Sequence, residues 1–224
     1  MFSICLRTRA ERLRTMCPDL EVATIFGTRA AFFGDTNEIR YGAETVERVI
    51  IRGTEPSYVD ALPLFEVVQG RYINQNDVDK TRSVVVLGDA IASSLFPSTD
   101  PLGKIVRING KLYEVIGVFG QDQGFFGGPG VDQFAIIPVS TFKKEYPNQK
   151  ELIMAVVVKR NVPLQQGLDQ LADGMRRIRR LQFNAEPDYE MLSSDFLTSL
   201  WNQLTGALTV LTALISSVGL VVGG

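Results

Sequence analysis

Two pairs of carboxylates have a spacing that could support acid–base chemistry. Asp77 and Asp79 form the first pair, and Asp188 and Glu190 form the second. Two neighbouring carboxyl groups can serve as the acid and the nucleophile or base of glycoside hydrolysis. Such pairs are also common on solvated turns, and nothing in the flanking sequence marks either pair as buried. We therefore expect both pairs to lie on solvated surface.

Other catalytic chemistry finds little support in the composition. The chain contains no histidine, so it cannot build a Ser-His-Asp triad, a Cys-His pair or a histidine metal site. The glycines between Gly117 and Gly130 do not match a phosphate-binding GxxxxGK[ST] loop, and we expect a surface loop there. Cys5 and Cys17, about 18 Å apart on one predicted helix, are too distant for a disulfide and are expected to be buried thiols. We expect no active site, cofactor or metal.

Four residues are candidates for contact with a partner. Phe125 and Phe126 lie in the glycine-rich loop, where exposed aromatic rings could insert into a partner or a lipid surface. The alternative is that both rings fold back over the preceding hairpin. Arg176 and Arg180 lie near the end of a predicted helix, where cations interact favourably with the helix dipole. The alternative for these arginines is a partner-binding patch.

The elements that would position these residues are short strands and helices. A strand over 83–87 leads through Gly88 into a helix for which Asp89 is the expected N-cap. Asn109-Gly110 between two β-rich runs predicts a hairpin, because both residues tolerate positive φ. One face of that hairpin is expected to carry the apolar residues Val106, Ile108, Tyr113 and Val115.

Further strands and one long helix complete the pattern. The predicted strands are 21–33, 46–51, 133–138, 152–159 and a short one around 183–189. Pro163 is expected at the start of the helix, since proline suits its first turn. The apolar face of that helix is predicted to consist of Leu164, Leu168, Leu171, Met175 and Ile178.

The last part of the chain, residues 196–224, carries no charge. A bilayer core of about 30 Å needs about 20 mostly apolar helical residues, so we expect a membrane helix over 204–224. The apolar residues assigned to this membrane span are Leu204, Leu208, Leu211, Leu214, Ile215, Val218, Leu220 and Val221. Acidic residues precede this segment and no Lys or Arg follows Arg180, which places residues 1–195 on the extracytoplasmic side.

The N-terminal segment does not read as a signal peptide. Four arginines between Arg7 and Arg14 interrupt any apolar core. An extracytoplasmic domain would then need an upstream membrane helix, so we expect the protein to continue beyond this sequence at both ends. The net charge of −2 gives no general attraction to nucleic acid.

An ordered series of short motifs, from Gly53-Thr54 to the end of the uncharged tail, extends over about 170 residues of the chain. The motifs are Gly70-Arg71-Tyr72, Asn76-Asp77, Ser83-Val84-Val85-Val86-Leu87-Gly88, Leu95-Phe96, Asp100-Pro101-Leu102-Gly103-Lys104, Ile108-Asn109-Gly110 and Tyr113-Glu114-Val115-Ile116-Gly117-Val118. In this order and spacing they resemble the periplasmic core domain of MacB-type ABC transporter permeases. The uncharged tail looks like the start of the next, FtsX-like membrane helix of that family.

The resemblance implies an α+β fold in two parts, followed by one transmembrane helix. The extracytoplasmic domain would cover 1–192, with a βαβ subdomain formed by about 1–80 and 150–192. A β-rich insertion would cover about 81–149. Residues 193–203 would form a stalk that leads into a truncated membrane helix over 204–224.

The resemblance also implies a function without catalysis in this chain. It suggests a permease subunit of the bacterial inner membrane that couples ATP hydrolysis by a cytoplasmic ABC ATPase to extracytoplasmic conformational change. Expected partners are that ATPase, a second permease copy, the lipid bilayer and a periplasmic adaptor, with no nucleic acid. The alternative is a membrane-tethered regulatory domain of FtsX type that acts on cell-envelope partners without transport. An anchored hydrolase is disfavoured, because histidine and a nucleophile motif are missing.

Overall fold

The computed structural model describes residues 13, 15–29, 37–61, 66–120, 133–149 and 152–179, and residues 205, 206, 209 and 212 of the tail. The chain divides into two compact units, Met1–Arg179 and Arg180–Gly224. Ten strands and five helices are described in the first unit. The strands are β1 Leu20–Arg29, β2 Glu38–Tyr41, β3 Glu44–Glu47, β4 Ile50–Thr54, β5 Val67–Gly70, β6 Val84–Leu87, β7 Ile105–Ile108, β8 Lys111–Phe119, β9 Phe134–Pro138 and β10 Ile153–Val158. The helices are α1 Tyr58–Ala61, α2 Gln75–Asp79, α3 Asp89–Leu95, α4 Val139–Glu145 and α5 Leu164–Arg179.

All ten strands belong to one mixed sheet. Its order is β10-β1-β4-β9-β6-β8-β7-β2-β3, and β5 pairs with the end of β8. The pairs β4–β9 and β6–β8 are parallel, and the others are antiparallel. The fold is therefore a mixed α/β domain built around a sheet.

Several predicted elements are confirmed. The strands predicted over 83–87, 133–138 and 152–159 correspond to β6, β9 and β10, and the helix after Pro163 is α5. Asn109 and Gly110 both have positive φ, 45° and 85°, as a two-residue hairpin turn between β7 and β8 requires. The four apolar residues predicted to share one hairpin face are each at most 2% exposed.

Three local predictions are wrong. The strand predicted over 46–51 is two strands, β3 and β4, because Arg48 adopts a positive φ of 58° that interrupts extended pairing. The N-cap of α3 is Gly88, and Asp89 is the first helical residue. In α5, Leu164 is 36% exposed instead of joining the apolar face, whereas Leu171, Met175 and Ile178 pack against the core as predicted.

A different apolar cluster lies on each face of the sheet. One cluster lies under α3 and α4 and joins Ile39 and Ile51 to Val115 and Phe142. The Phe142 ring packs against two glycines, Gly27 and Gly53, which are register partners on β1 and β4. A methyl group at either glycine would overlap this ring, so the pair of glycines makes the slot that holds α4 against the sheet.

The second cluster, on the opposite face, surrounds Tyr58, Phe119 and Phe134. Both clusters combine residues from 1–80 with residues from 81–149. The predicted division between a βαβ subdomain and an insertion at these boundaries stays a prediction.

The tail is described at Thr205, Gly206, Thr209 and Thr212, which are helical. The eight residues predicted for the membrane span, from Leu204 to Val221, lie outside the described residues. Within the described part of the chain, no helix has the length and apolar character needed to cross a bilayer.

Candidate functional site

Asp77 is the centre of an ionic cluster beside the β5–α2 connection. Its side chain is fully buried, although it carries a charge. Arg71 donates two hydrogen bonds to the carboxylate, over 2.6 Å and 3.2 Å, and Arg82 donates a third over 3.4 Å. The other terminal nitrogen of Arg82 lies 3.7 Å from the carboxylate of Glu114 on β8. We call Arg71, Asp77, Arg82 and Glu114 the Asp77 cluster.

The same carboxylate caps helix α2. Asp77 accepts a hydrogen bond from the backbone N–H of Asn74 over 3.0 Å, and the Asn74 side chain accepts one from the backbone N–H of Asp77. This reciprocal capping box satisfies donors that a helix start otherwise leaves unpaired. The Asp77 cluster thus fixes the start of α2 against the arginines on either side of it.

Electrostatics keeps this buried carboxylate ionised. Burial raises the pKa of Asp77, but the hydrogen bonds from Arg71 and from the Asn74 backbone, with the charges of Arg71 and Arg82, outweigh burial and lower it. Each arginine side chain is 42% exposed, so its remaining donors reach water. A carboxylate of lowered pKa is ionised at neutral pH and is therefore a poor proton donor. The Asp77 cluster thus has a structural role: it holds the start of α2 against the neighbouring arginines.

The expectation that Asp77 lies on solvated surface is therefore wrong, whereas Asp79 is exposed as expected. The sequence does contain a signal for the capping role of Asp77, since the spacing Asn74-x-x-Asp77 fits a capping box. The partnership with Arg82 is also local in sequence, because the turn after α2 brings the Arg82 N–H within 2.9 Å of the Asp77 carbonyl oxygen. The second predicted pair, Asp188 and Glu190, lies outside the described residues.

A second group of polar side chains, buried at Thr54 and Tyr58 and half-buried at Arg52 and Tyr72, lines the face of the sheet beside α1. Arg52 donates a hydrogen bond of 2.9 Å to the Tyr58 hydroxyl, and the hydroxyls of Thr54 and Tyr72 lie 2.6 Å apart. Burial raises the pKa of both phenols, so they remain neutral hydrogen-bonding groups. No nucleophile–base pair is formed by these four side chains.

Cys17 lies at the floor of a shallow groove against α5, bordered by Met16, Gln170 and Arg177. The thiol is 2% exposed, as predicted, and donates a hydrogen bond to the Gln170 carbonyl. Burial raises its pKa, which keeps it in the unreactive thiol form. Cys5 lies outside the described residues.

Of the four predicted partner contacts, the structure places one. Arg176 is half-buried on α5, one position before Arg177 at the groove. Phe125, Phe126 and Arg180 lie outside the described residues, and their role in partner contact stays a prediction. Across the described part of the chain, no three Cys, Asp or Glu side chains are grouped so that they could hold a metal ion.

Among the described residues, the polar groups of this region connect strands and helices to one another. The charges of the Asp77 cluster are mutually compensated, and the phenols and thiol carry raised pKa values. Such groups fix the positions of strands and helices relative to one another.

The architecture is similar to known extracytoplasmic domains of transporters. The periplasmic region of MacB from Actinobacillus actinomycetemcomitans matches with a TM-score of 0.69 and 20% identity, over 88% of this chain and 82% of that one. The extracellular domain of the ABC-type transporter YknZ from Gram-positive bacteria matches with a TM-score of 0.57 and 20% identity, over 78% and 80% of the two chains. At these identities the likeness shows a shared fold.

The sequence comparisons point in the same direction. The macrolide export ATP-binding/permease protein MacB of Aggregatibacter actinomycetemcomitans is 27% identical over 173 residues, which are 77% of this chain and 26% of the relative. This chain thus spans about a quarter of the length of that relative. The family model of the MacB-like periplasmic core domain matches residues 7–173. Since this match covers well over half of the sequence, the chain belongs to the family of MacB-like periplasmic core domains.

Proposed function

We propose that this chain is the extracytoplasmic part of a non-catalytic permease subunit of an ABC transporter. It converts ATP hydrolysis in a cytoplasmic ATPase into a conformational change outside the cytoplasmic membrane, for export or efflux. The observation that carries this proposal is the family match over residues 7–173, together with a later segment, 196–224, without a single charge. A relative that is 27% identical over 173 residues is named as a macrolide export ATP-binding/permease protein.

The proposal includes the partners and the orientation in the membrane. The chain works with an ABC ATPase, with a second copy of the permease and with the bilayer, and a periplasmic adaptor is a further partner in efflux. Residues 1–195 lie on the extracytoplasmic side, which agrees with the acidic residues before the uncharged segment. Neither nucleic acid nor a cofactor takes part.

In this proposal, residues 193–203 form the stalk that carries motion between the membrane and the domain. A continuous helix would transmit such motion, whereas proline in its interior breaks the hydrogen-bond ladder at a cost of about 3 kcal/mol. Ser194→Pro in the complete transporter should therefore leave ATP hydrolysis intact and abolish the extracytoplasmic response. Ser194→Ala is the matched control, since alanine preserves helix.

A readout of this response does not require knowledge of the substrate. A spin label on a ketone-bearing amino acid at the exposed position 79 would report the distance between two permease copies, with ATP and vanadate or without nucleotide. We expect a nucleotide-dependent change in the parent and in Ser194→Ala, and no change in Ser194→Pro. A parent that shows no response, or a proline variant that responds normally, would refute the proposed coupling.

The alternative of an FtsX-type regulatory domain gives a different outcome. The relatives include the uncharacterized ABC transporter permease YvrN of Bacillus subtilis, 30% identical over 100 residues, 43% of this chain and 23% of the relative. Regulation without export would preserve the nucleotide-dependent distance change. ATP-driven movement of macrolides or peptides into proteoliposomes of inverted orientation would then be missing.

A further inference from the structure

The first and the last described segments of the Met1–Arg179 unit pack directly against each other. Leu13, Cys17 and Leu20 are 0%, 2% and 5% exposed and form one apolar cluster. The residues of α5 in this cluster are Leu171, Met175 and Ile178, and those of β10 are Met154, Val156 and Val158. The first described segment of this unit is therefore in direct contact with α5, its last described element.

Two glycines allow α5 to approach its neighbours closely. A Cβ atom at Gly174 would lie 2.8 Å from the Cys17 sulfur and 2.9 Å from a Leu13 methyl group, closer than real Cβ atoms come. A Cβ at Gly167 would lie 2.6 Å from both Val158 methyl groups. Seven residues separate these glycines, which places them on the same face of the helix two turns apart. At these two glycines, one face of α5 therefore packs closely against both segment 13–20 and β10.

Polar contacts also hold segment 13–20 in place against α5 and β10. Asp19 accepts hydrogen bonds from the side chains of Gln170, over 2.5 Å, and Gln166, over 3.1 Å. The Asp19 carbonyl accepts a third, from the Lys159 N–H at the end of β10. Interdigitated apolar contacts and directional hydrogen bonds together allow little relative movement, because packed surfaces have discrete arrangements.

From this arrangement we propose that segment 13–20 and α5 form one rigid joint that moves as a single body during the transport cycle. The inference rests on the proposed function and adds to it the element of the domain that receives the motion. Motion entering through the chain before residue 13 reaches α5 directly and does not need to cross the ten-stranded sheet. The remaining sheet then follows the joint through β1 and β10.

The Gly174 contact provides a test, because its geometry suits a disulfide. In a disulfide the Cβ of one cysteine lies about 3 Å from the sulfur of the other, close to the distance at Gly174. Gly174→Cys should therefore pair with Cys17 in a complete transporter whose other cysteines, Cys5 among them, are replaced by serine. With copper phenanthroline in air, each thiol loses a proton and an electron, the electrons pass to oxygen, and the S–S bond forms.

Because burial raises the pKa of Cys17, oxidation is carried out at alkaline pH over hours. Under these conditions we expect this cross-link to form nearly quantitatively and to leave the nucleotide-dependent distance change at position 79 intact. Loss of the response on oxidation, with recovery on reduction, would show that the two segments must separate, and would overturn the proposal. Free thiols that persist after oxidation would also overturn it. If the cysteine parent itself shows no response to ATP, the proposed function fails, and hydrogen exchange alone decides whether the joint is rigid.

Hydrogen exchange tests the joint in the unmodified transporter. Amides of 15–20 and of the central turns of α5 should exchange with one common opening free energy, as members of one cooperative unit. Gly174→Leu inserts a side chain into the contact and should raise exchange in both segments by about tenfold or more, while β6 and β9 stay protected. Asp169→Leu, on an exposed position of the same helix, is the control. Unequal opening in the parent, or unchanged exchange in Gly174→Leu, would contradict the joint.

Discussion

At the scale of single residues, Asp77 shows how a charge is held inside this domain. Its carboxylate is buried without exposed surface, and every donor around it comes from a residue within six positions in the sequence. A buried ion pair contributes little net stability compared with an apolar replacement, but removal of one partner leaves the other poorly compensated. The cluster should therefore be sensitive to changes at its centre.

Asp77→Asn should lower the free energy of unfolding by about 2–4 kcal/mol, because it removes charge-assisted hydrogen bonds from both arginines and weakens the capping box. Chemical denaturation followed by circular dichroism would measure the change. Asp79→Asn is the matched control: this carboxylate is exposed and accepts from Gln75, so the effect should stay within about 0.5 kcal/mol. Equal effects of the two substitutions would contradict the assigned role.

The lowered pKa of Asp77 predicts the pH dependence of stability. In the unfolded chain this carboxyl titrates near the ordinary value of about 3.9, and in the folded domain it titrates lower. Its stabilising contribution is therefore complete above the unfolded pKa and is lost as the pH falls through the folded pKa. The stability difference between the parent and Asp77→Asn should be constant from pH 7 to pH 5 and shrink below about pH 4. A difference that grew in acid would have the wrong sign.

At the scale of elements, local turns are joined to distant strands by side chains with two roles. Asn109 provides the positive φ of the β7–β8 turn, and its amide donates to Asn37 and to the Tyr146 hydroxyl, each over 3.0 Å. Its side-chain oxygen accepts from the Glu38 backbone, also over 3.0 Å. The hairpin is thereby tied to the start of β2 and the end of α4.

Substitution of Asn109 should separate these two roles. Asn109→Gly keeps the left-handed conformation and loses the side-chain hydrogen bonds, so it should cost about 1 kcal/mol. Asn109→Ala loses the side-chain hydrogen bonds and also disfavours the left-handed conformation, so it should lower the free energy of unfolding by about 2 kcal/mol. Thermal and urea denaturation would measure both variants. If alanine and glycine were equivalent, the positive φ would carry no cost, contrary to this explanation.

The slot for Phe142 predicts a coupled pair of substitutions. Gly27→Ala places a methyl group 2.5 Å from the Cε1 atom of the Phe142 ring and should destabilise the domain by about 2 kcal/mol. Phe142→Leu removes this ring atom and should relieve the overlap. The double variant should therefore be more stable than the sum of the single effects by about 1 kcal/mol or more. Additive effects in a double-mutant cycle would show that the two side chains do not interact.

At the scale of the whole molecule, one sheet connects segments that are far apart in the sequence. Strand β4 pairs in parallel with β9 over five positions, and β1 pairs with β10 over six. Both larger apolar clusters combine residues from the predicted βαβ subdomain and from the predicted insertion. Shared burial of this kind favours cooperative unfolding, because loss of one segment exposes apolar surface of the other.

We therefore expect 81–149 to unfold together with β4 and not as an independent insertion. Native-state hydrogen exchange of the protein in detergent would show this as one opening free energy for the amides of β4, β6 and β9. If 81–149 opened separately while β4 stayed protected, the predicted insertion would be a cooperative unit by itself.

The sequence alone determined the local elements and the family. The Asn109-Gly110 turn, the buried strand β6 and the amphipathic α5 each follow from backbone preferences and from apolar spacing within a few residues, and the ordered motifs pointed to the family that residues 7–173 match. Only the tertiary structure decided which distant segments meet. The burial of Asp77, the Phe142 slot and the contact of Cys17 with Gly174 all depend on packing between segments that local sequence patterns do not pair. Burial and close contact depend on residues that are distant in the sequence and adjacent in space. The contact between segment 13–20 and α5 could therefore be recognised only from the tertiary structure.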